Sequence, residues 1–172
     1  QMLLRRAMHW PDVNPEILWS PRQGKVGFTA VPRTMPIIQL IMDDLSVGSP
    51  LSKTYFALWC PGYEQSIVKI DSPSDLIKES AFTGQRGETT WLSRMDKLEE
   101  LGFIRGISNN SGVEKYRYVL MLDPYKVIQK LKKSATKINE RHYNSLVDRA
   151  IAIGAESDFE NELAMNKSEI PS

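Results

Sequence analysis

The run SPSDLIKESAFTGQRGETTWLSRMDKLEELGFIRG, residues 72–106, constrains this chain more than any other stretch. Ser72, Pro73 and Asp75 supply an N-cap, a first-turn proline and a first-turn acid, so a helix is expected from there to about Ala81. Phe82 to Gly87 then make a turn. Residues 88–101 keep apolar side chains at helical spacing, Gly102 closes that helix, and the β-like run FIRGI follows at once. Two short helices and a strand cannot bury their own apolar sides, so the neighbouring elements have to complete the core.

Residues 37–48, IIQLIMDDLSVG, space Ile37, Ile38, Ile41, Met42 and Leu45 as a short amphipathic helix with Gly48 as its stop. Ser49 and Pro50 read as the N-cap and first turn of another, with Leu51, Tyr55, Leu58 and Trp59 as its stripe. SIVKI, residues 66–70, suits one strand. FIRGI and KYRYVLML flank SNNSGVE, a hairpin signal with glycine and asparagine available for positive φ. Pro124 opens what reads as one long helix to about Gly154. Four segments result: an irregular, proline-rich basic arm over 1–36, a domain over 37–123, the long helix over 124–154 and an acidic tail over 155–172.

With 172 residues, 41% of them apolar and four tryptophans, the chain has the composition of a soluble globular protein. A single cysteine, Cys60, excludes an intrachain disulfide and is expected to be a buried small hydrophobe. Together with His9 and His142 it cannot supply a four-ligand zinc site. No metal and no cofactor are expected. No apolar run approaches the roughly 18 residues of a membrane helix, so a cytoplasmic protein is expected. Neither G-x-x-x-x-G-K-S/T nor G-x-S-x-G occurs, and GQRG lacks the preceding strand and third glycine of a dinucleotide fingerprint. Catalysis is therefore not expected.

The order helix, strand, helix, turn, helix and hairpin over residues 50–122, with the motif RMDKLEELGFI, resembles the winged helix-turn-helix family. The resemblance covers less than half of the chain. It implies a mainly α fold with a small antiparallel sheet, flanked here by the N-terminal arm and the long C-terminal helix. It also implies sequence-specific binding of double-stranded DNA, most often in bacterial transcription regulation. A replication or partition factor of a plasmid or other mobile element could use the same module. So could a protein-interaction subunit that never touches nucleic acid.

At about 100° per residue, Trp91, Leu92, Met95, Leu98 and Leu101 fall on one side of the second helix, which is expected to face the core. The opposite side carries Arg86 at the helix entrance, then Thr89, Ser93, Asp96, Lys97 and Glu100, with Thr90 and Arg94 on its flank. Its first half is neutral or basic, whereas acids gather late at Asp96, Glu99 and Glu100. A phosphate-bearing duplex accepts the first half and repels the second, as when the N-terminal residues of a recognition helix reach base edges. Arg86 and Arg94 offer paired donors to guanine or phosphate, and Gln85 can read adenine. Thr89, Thr90 and Ser93 can bond phosphates or bases, with Lys97 against backbone charge. Arg105, Lys115 and Arg117 give the hairpin a modest positive charge. Packing, not base stacking, is expected of Trp91, Tyr116 and Tyr118.

Charge is uneven along the chain: five cations against two acids over 1–35, seven against three over 119–149, and one against five over 150–172. Arg22, Lys25 and Arg33 could follow DNA phosphates, although Trp19, Phe28 and Val31 suit a strap laid across the domain better. A helix of some 30 residues would be about 45 Å long, more than a small domain covers, which points to a homodimer paired through it. On its apolar stripe, His142 is expected to be a core or interface residue.

Overall fold

A computed structural model describes residues 1–21, 24–62 and 65–159. Among them the chain is mainly helical, with eight α-helices and one small three-stranded antiparallel sheet. In order these are α1 (Met2–His9), α2 (Met35–Asp44), α3 (Ser52–Trp59), β1 (Ile67–Lys69), α4 (Pro73–Glu79) and α5 (Gly87–Leu101). After them come β2 (Ile104–Arg105), α6 (Gly112–Lys115), β3 (Tyr118–Met121), α7 (Pro124–Lys133) and α8 (Glu140–Ala152).

Residues 1–36 are less irregular than their prolines suggest. Met2 to His9 form a helix with no buried residue, and Pro36 is accommodated in the first turn of α2, where its missing N–H costs nothing. Arg22 lies outside the described residues. The strap forms over its last part, but backbone carbonyls hold it: Trp59 Nε1 donates to Ala30 O at 2.8 Å, and Thr29 Oγ1 to Gly62 O at 3.3 Å. Trp19 and Phe28 meet edge to face yet stay exposed.

Ser49 does not cap α3. Asp43, at the end of α2, reaches across the intervening turn and accepts from Leu51 N at 2.7 Å and Ser52 N at 2.9 Å. The first-turn donors are thereby satisfied from outside the local sequence, and the helix starts two residues later than Ser49 and Pro50 suggest. Cys60 is also exposed, at the C-cap of α3, and not buried.

The expected single helix over 124–154 is two. Ser134 turns extended, its hydroxyl donates to Leu131 O at 2.8 Å, and Thr136 N donates back to Ser134 Oγ at 3.2 Å. Asn139 then caps α8, accepting from Arg141 N at 3.0 Å and His142 N at 3.2 Å. Side chains that compete locally for backbone groups outweigh the apolar spacing that seemed to run through. The break lets α8 fold back onto α2, where His142 Nδ1 lies 2.5 Å from Asp44 Oδ2. Leu146 and Ala150 are fully buried. The length on which dimer pairing rested is gone.

The core gathers Ile38, Ile41 and Met42 of α2, Tyr55 and Leu58 of α3, and Trp91, Met95 and Leu98 of α5, all with no exposed surface. Fully burying an aliphatic or aromatic side chain of this size contributes about 1.5–3 kcal/mol. The sheet order is β1-β3-β2, with Ile67 opposite Leu120, Lys69 opposite Tyr118, and Arg105 opposite Leu120. Val68, Ile104 and Val119 point inward from it.

Candidate nucleic-acid interface

Trp91, Met95 and Leu98 fix α5 to the core and thereby decide which side of it faces out. Gly87 permits the helix entrance to press against the preceding turn: a Cβ there would lie 2.5 Å from Phe82 O. At the other end Gly102 takes φ 92°, and its N–H bonds Leu98 O and Glu99 O, stopping the helix sharply before β2.

On the outward side Gln85, Arg86, Thr89 and Ser93 are exposed, and Thr90 is half-buried on the flank. Arg86 stands at the N-cap, and no side chain caps the helix. Glu88 is the one acid of the first turn. Three residues before Trp91, it falls toward the apolar side of the helix and leaves the Arg86, Thr89, Ser93 line without a negative charge.

Arg94 is placed differently from Arg86. Its guanidinium carbon sits 5.7 Å from the centre of the Phe82 ring, and its Nε is buried without a hydrogen-bond partner. It braces α5 against the turn. Lys97 Nζ is held by Glu100 Oε1 at 2.9 Å.

Two of the late acids of α5, Asp96 and Glu99, have partners in the hairpin. Tyr116 Oη donates to Asp96 Oδ1 at 2.5 Å and to Glu99 Oε2 at 3.3 Å, while Gly106 N donates to Glu99 Oε1 at 2.8 Å. Lys115 Nζ pairs with Glu99 as well, and lies 5.4 Å from the Tyr116 ring centre. Burial alone would raise the Glu99 carboxyl, but Lys115, Gly106 N and Tyr116 bond its charged form and hold it below the ordinary range. Burial and then Asp96 push the Tyr116 phenol far up, so its hydroxyl is a donor at any ordinary pH. Lys115 is therefore a neutralised member of a latch and not an open cation.

Antiparallel pairing of β2 with β3 is present, but the connection between them holds the short helix α6 in place of a simple turn. This explains an asymmetry that strand alternation misses. Tyr116 precedes β3, as the C-cap of α6, and is 1% exposed, whereas Tyr118 stands on the strand and is 42% exposed. Packing was expected of both and holds only for Tyr116. Arg105 and Arg117 are exposed, with Arg117 Nη1 3.8 Å from Glu114 Oε2.

Sequence gave no sign of a further boundary. The turn Leu45–Ser49, between α2 and α3, runs beside the outward face of α5, and Thr89, Ser93 and Lys97 line the groove of about 740 Å³ between them. Val47 projects from that turn, 89% exposed.

Among the described residues no group of three or more His, Cys, Asp or Glu side chains converges, and no helix is long and apolar enough to cross a membrane. Comparison with protein-family models, curated proteins and solved structures finds no match to this chain.

Proposed function

We propose that residues 37–123 are a winged helix-turn-helix domain that binds double-stranded DNA sequence-specifically through the first turns of α5, in transcription regulation. The observation that carries this reading is the exposed line Arg86, Thr89, Ser93, which meets no acid on its own face until Asp96. Gln85 extends it into the preceding turn. An uncapped helix start leaves N–H groups and the positive end of the helix dipole available to phosphate. Support also comes from the order α3, β1, α4, α5, β2, α6, β3 and the strand order β1-β3-β2, which place the paired strands β2 and β3 after that helix. In this reading Arg86 and Gln85 read base edges, while Thr89, Thr90 and Ser93 fix the register on phosphates. Arg105 and Arg117 contribute positive charge from the hairpin, and Lys115 and Arg94 act by holding the hairpin and the helix in position.

Electrophoretic mobility with random duplex DNA at low and moderate salt tests the reading. A retarded complex that weakens as salt rises is expected, because displaced counterions drive such binding. No complex even at low salt refutes DNA binding and favours a protein-interaction module.

A further inference from the structure

The pairing register puts five side chains on the outer face of the sheet: Ile67 and Lys69 from β1, Tyr118 and Leu120 from β3, and Arg105 from β2. Opposed residues share a face, and so do residues two apart on one strand. The three largest hydrophobic groups among them remain in water, Ile67 at 45%, Tyr118 at 42% and Leu120 at 38% exposure. Among the described residues nothing covers them. Lys69 lies directly opposite Tyr118, and Arg105 lies diagonal to it across Leu120. The acid beside this face is Asp71, which pairs with Lys69 at 2.7 Å, while Glu114 lies near Arg117 at 3.8 Å.

An aromatic ring and two aliphatic groups framed by cations match a chain whose charges and flat apolar faces alternate. We propose that the outer face of this sheet is a binding site for single-stranded polynucleotide, with a base stacked on Tyr118 and phosphates drawn to Arg105, and to Lys69 when it exchanges its exposed pair with Asp71. A duplex satisfies the cations but keeps its base faces closed, so Tyr118, Ile67 and Leu120 would gain nothing from it; an unpaired strand presents both. A second copy of this chain fits less well. It would set Lys69 and Arg105 against their own kind, and five side chains fall far short of the about 20–30 residues per side of a stable pair. The site shares Arg105 with the duplex reading but Tyr118, Ile67 and Leu120 have no part in that reading, so a Tyr118 variant separates the two.

Fluorescence anisotropy with labelled oligodeoxyuridylate, oligouridylate and a duplex, measured on the full chain and on two variants, tests it. Binding to either single strand is expected, the tighter arm naming the sugar preferred. Tyr118→Ala should weaken that binding about tenfold, as loss of a base-stacking ring does, while Tyr118→Phe keeps it and duplex affinity stays unchanged. Tyr118 is exposed, so both variants should fold, which far-UV circular dichroism checks. The proposal is overturned if neither single strand binds at low salt, or if Tyr118→Ala binds as the parent does. It is equally overturned if phenylalanine loses as much as alanine, or if Tyr118→Ala converts a dimer to a monomer. Loss of duplex binding alone, with the single-strand arms intact, overturns the α5 reading and leaves this one standing.

Discussion

Tyr116 Oη donates to Asp96 Oδ1 at 2.5 Å, joining the residue that precedes β3 to the outward side of α5. Asp96 and Glu99, two of the acids that look in sequence like a patch hostile to phosphate, serve as acceptors for the hairpin. Tyr116→Phe removes the donor and keeps the ring against Trp91, whose centre is 6.1 Å away. It should cost about 1.5–3 kcal/mol in urea unfolding, the scale of a hydrogen bond to a charged group. A stability equal to that of the parent chain would show that the latch is not formed in solution.

Glu99 gives the same latch a pH signature. Burial opposes its charge, but Lys115, Gly106 N and Tyr116 hold its folded-state pKa below the ordinary 4.5. A depressed carboxyl stabilises the fold above its unfolded pKa and loses that contribution as pH falls through the folded value. The parent chain should therefore exceed Glu99→Gln in stability near neutrality, and the gap should close in acid below about pH 4.5. Urea titrations of both proteins at neutral and acid pH measure it; a gap that persists unchanged into acid contradicts the assignment.

Arg86 and Arg94 should separate under the same substitution. Arg86→Ala removes the exposed cation proposed to read a base edge, so duplex affinity should drop by about 1–3 kcal/mol and discrimination at that base should relax. Its unfolding free energy should stay within about 0.5 kcal/mol of the parent, as for other surface changes. Arg94→Ala removes the group over Phe82 and should cost stability, about 0.5–1 kcal/mol from the ring contact. Equal duplex affinity for Arg86→Ala and the parent would rule out the proposed face.

The fold-back of α8 predicts a monomer by light scattering. Leu146 and Ala150, which an extended helix could have offered to a second copy, are buried within the same chain. Leu146→Ala should cost about 2–5 kcal/mol, as core truncations of leucine do, and should do so independently of protein concentration. A dimer whose unfolding midpoint rises with concentration would place an interface elsewhere on the surface.

What could be read in sequence was whatever local periodicity and punctuation decide. Trp91, Met95 and Leu98 at helical spacing, closed by Gly102, located α5 and its buried side, and SIVKI located β1. Interactions across the chain were invisible: Asp43 capping α3 replaced the nearer Ser49, and no local rule places the Leu45–Ser49 turn beside α5. The break before α8 was different, because its signal was present. Asn139 followed by Glu140 is an N-cap with a first-turn acid, and Ser134 and Thr136 are residues that draw backbone groups to themselves. It was masked by the spacing of Ile128, Leu131, Ala135 and Ile138, which continues through the break as if the helix did. For the candidate site, the wheel separated outward from inward residues, but which cations were already engaged needed the hairpin. Lys115 and Arg94 look no different from Arg86 until Glu99 and Phe82 are in place.

Because α8 closes onto α2, the partners His142 and Asp44 stand 98 residues apart in the chain. On a ribosome making about 5–20 residues per second, α2 emerges some 5 to 20 seconds before the helix that covers it exists. Over that interval the nascent chain carries an unshielded apolar surface within reach of chaperones and neighbouring chains, and the core can close only once α8 has been made.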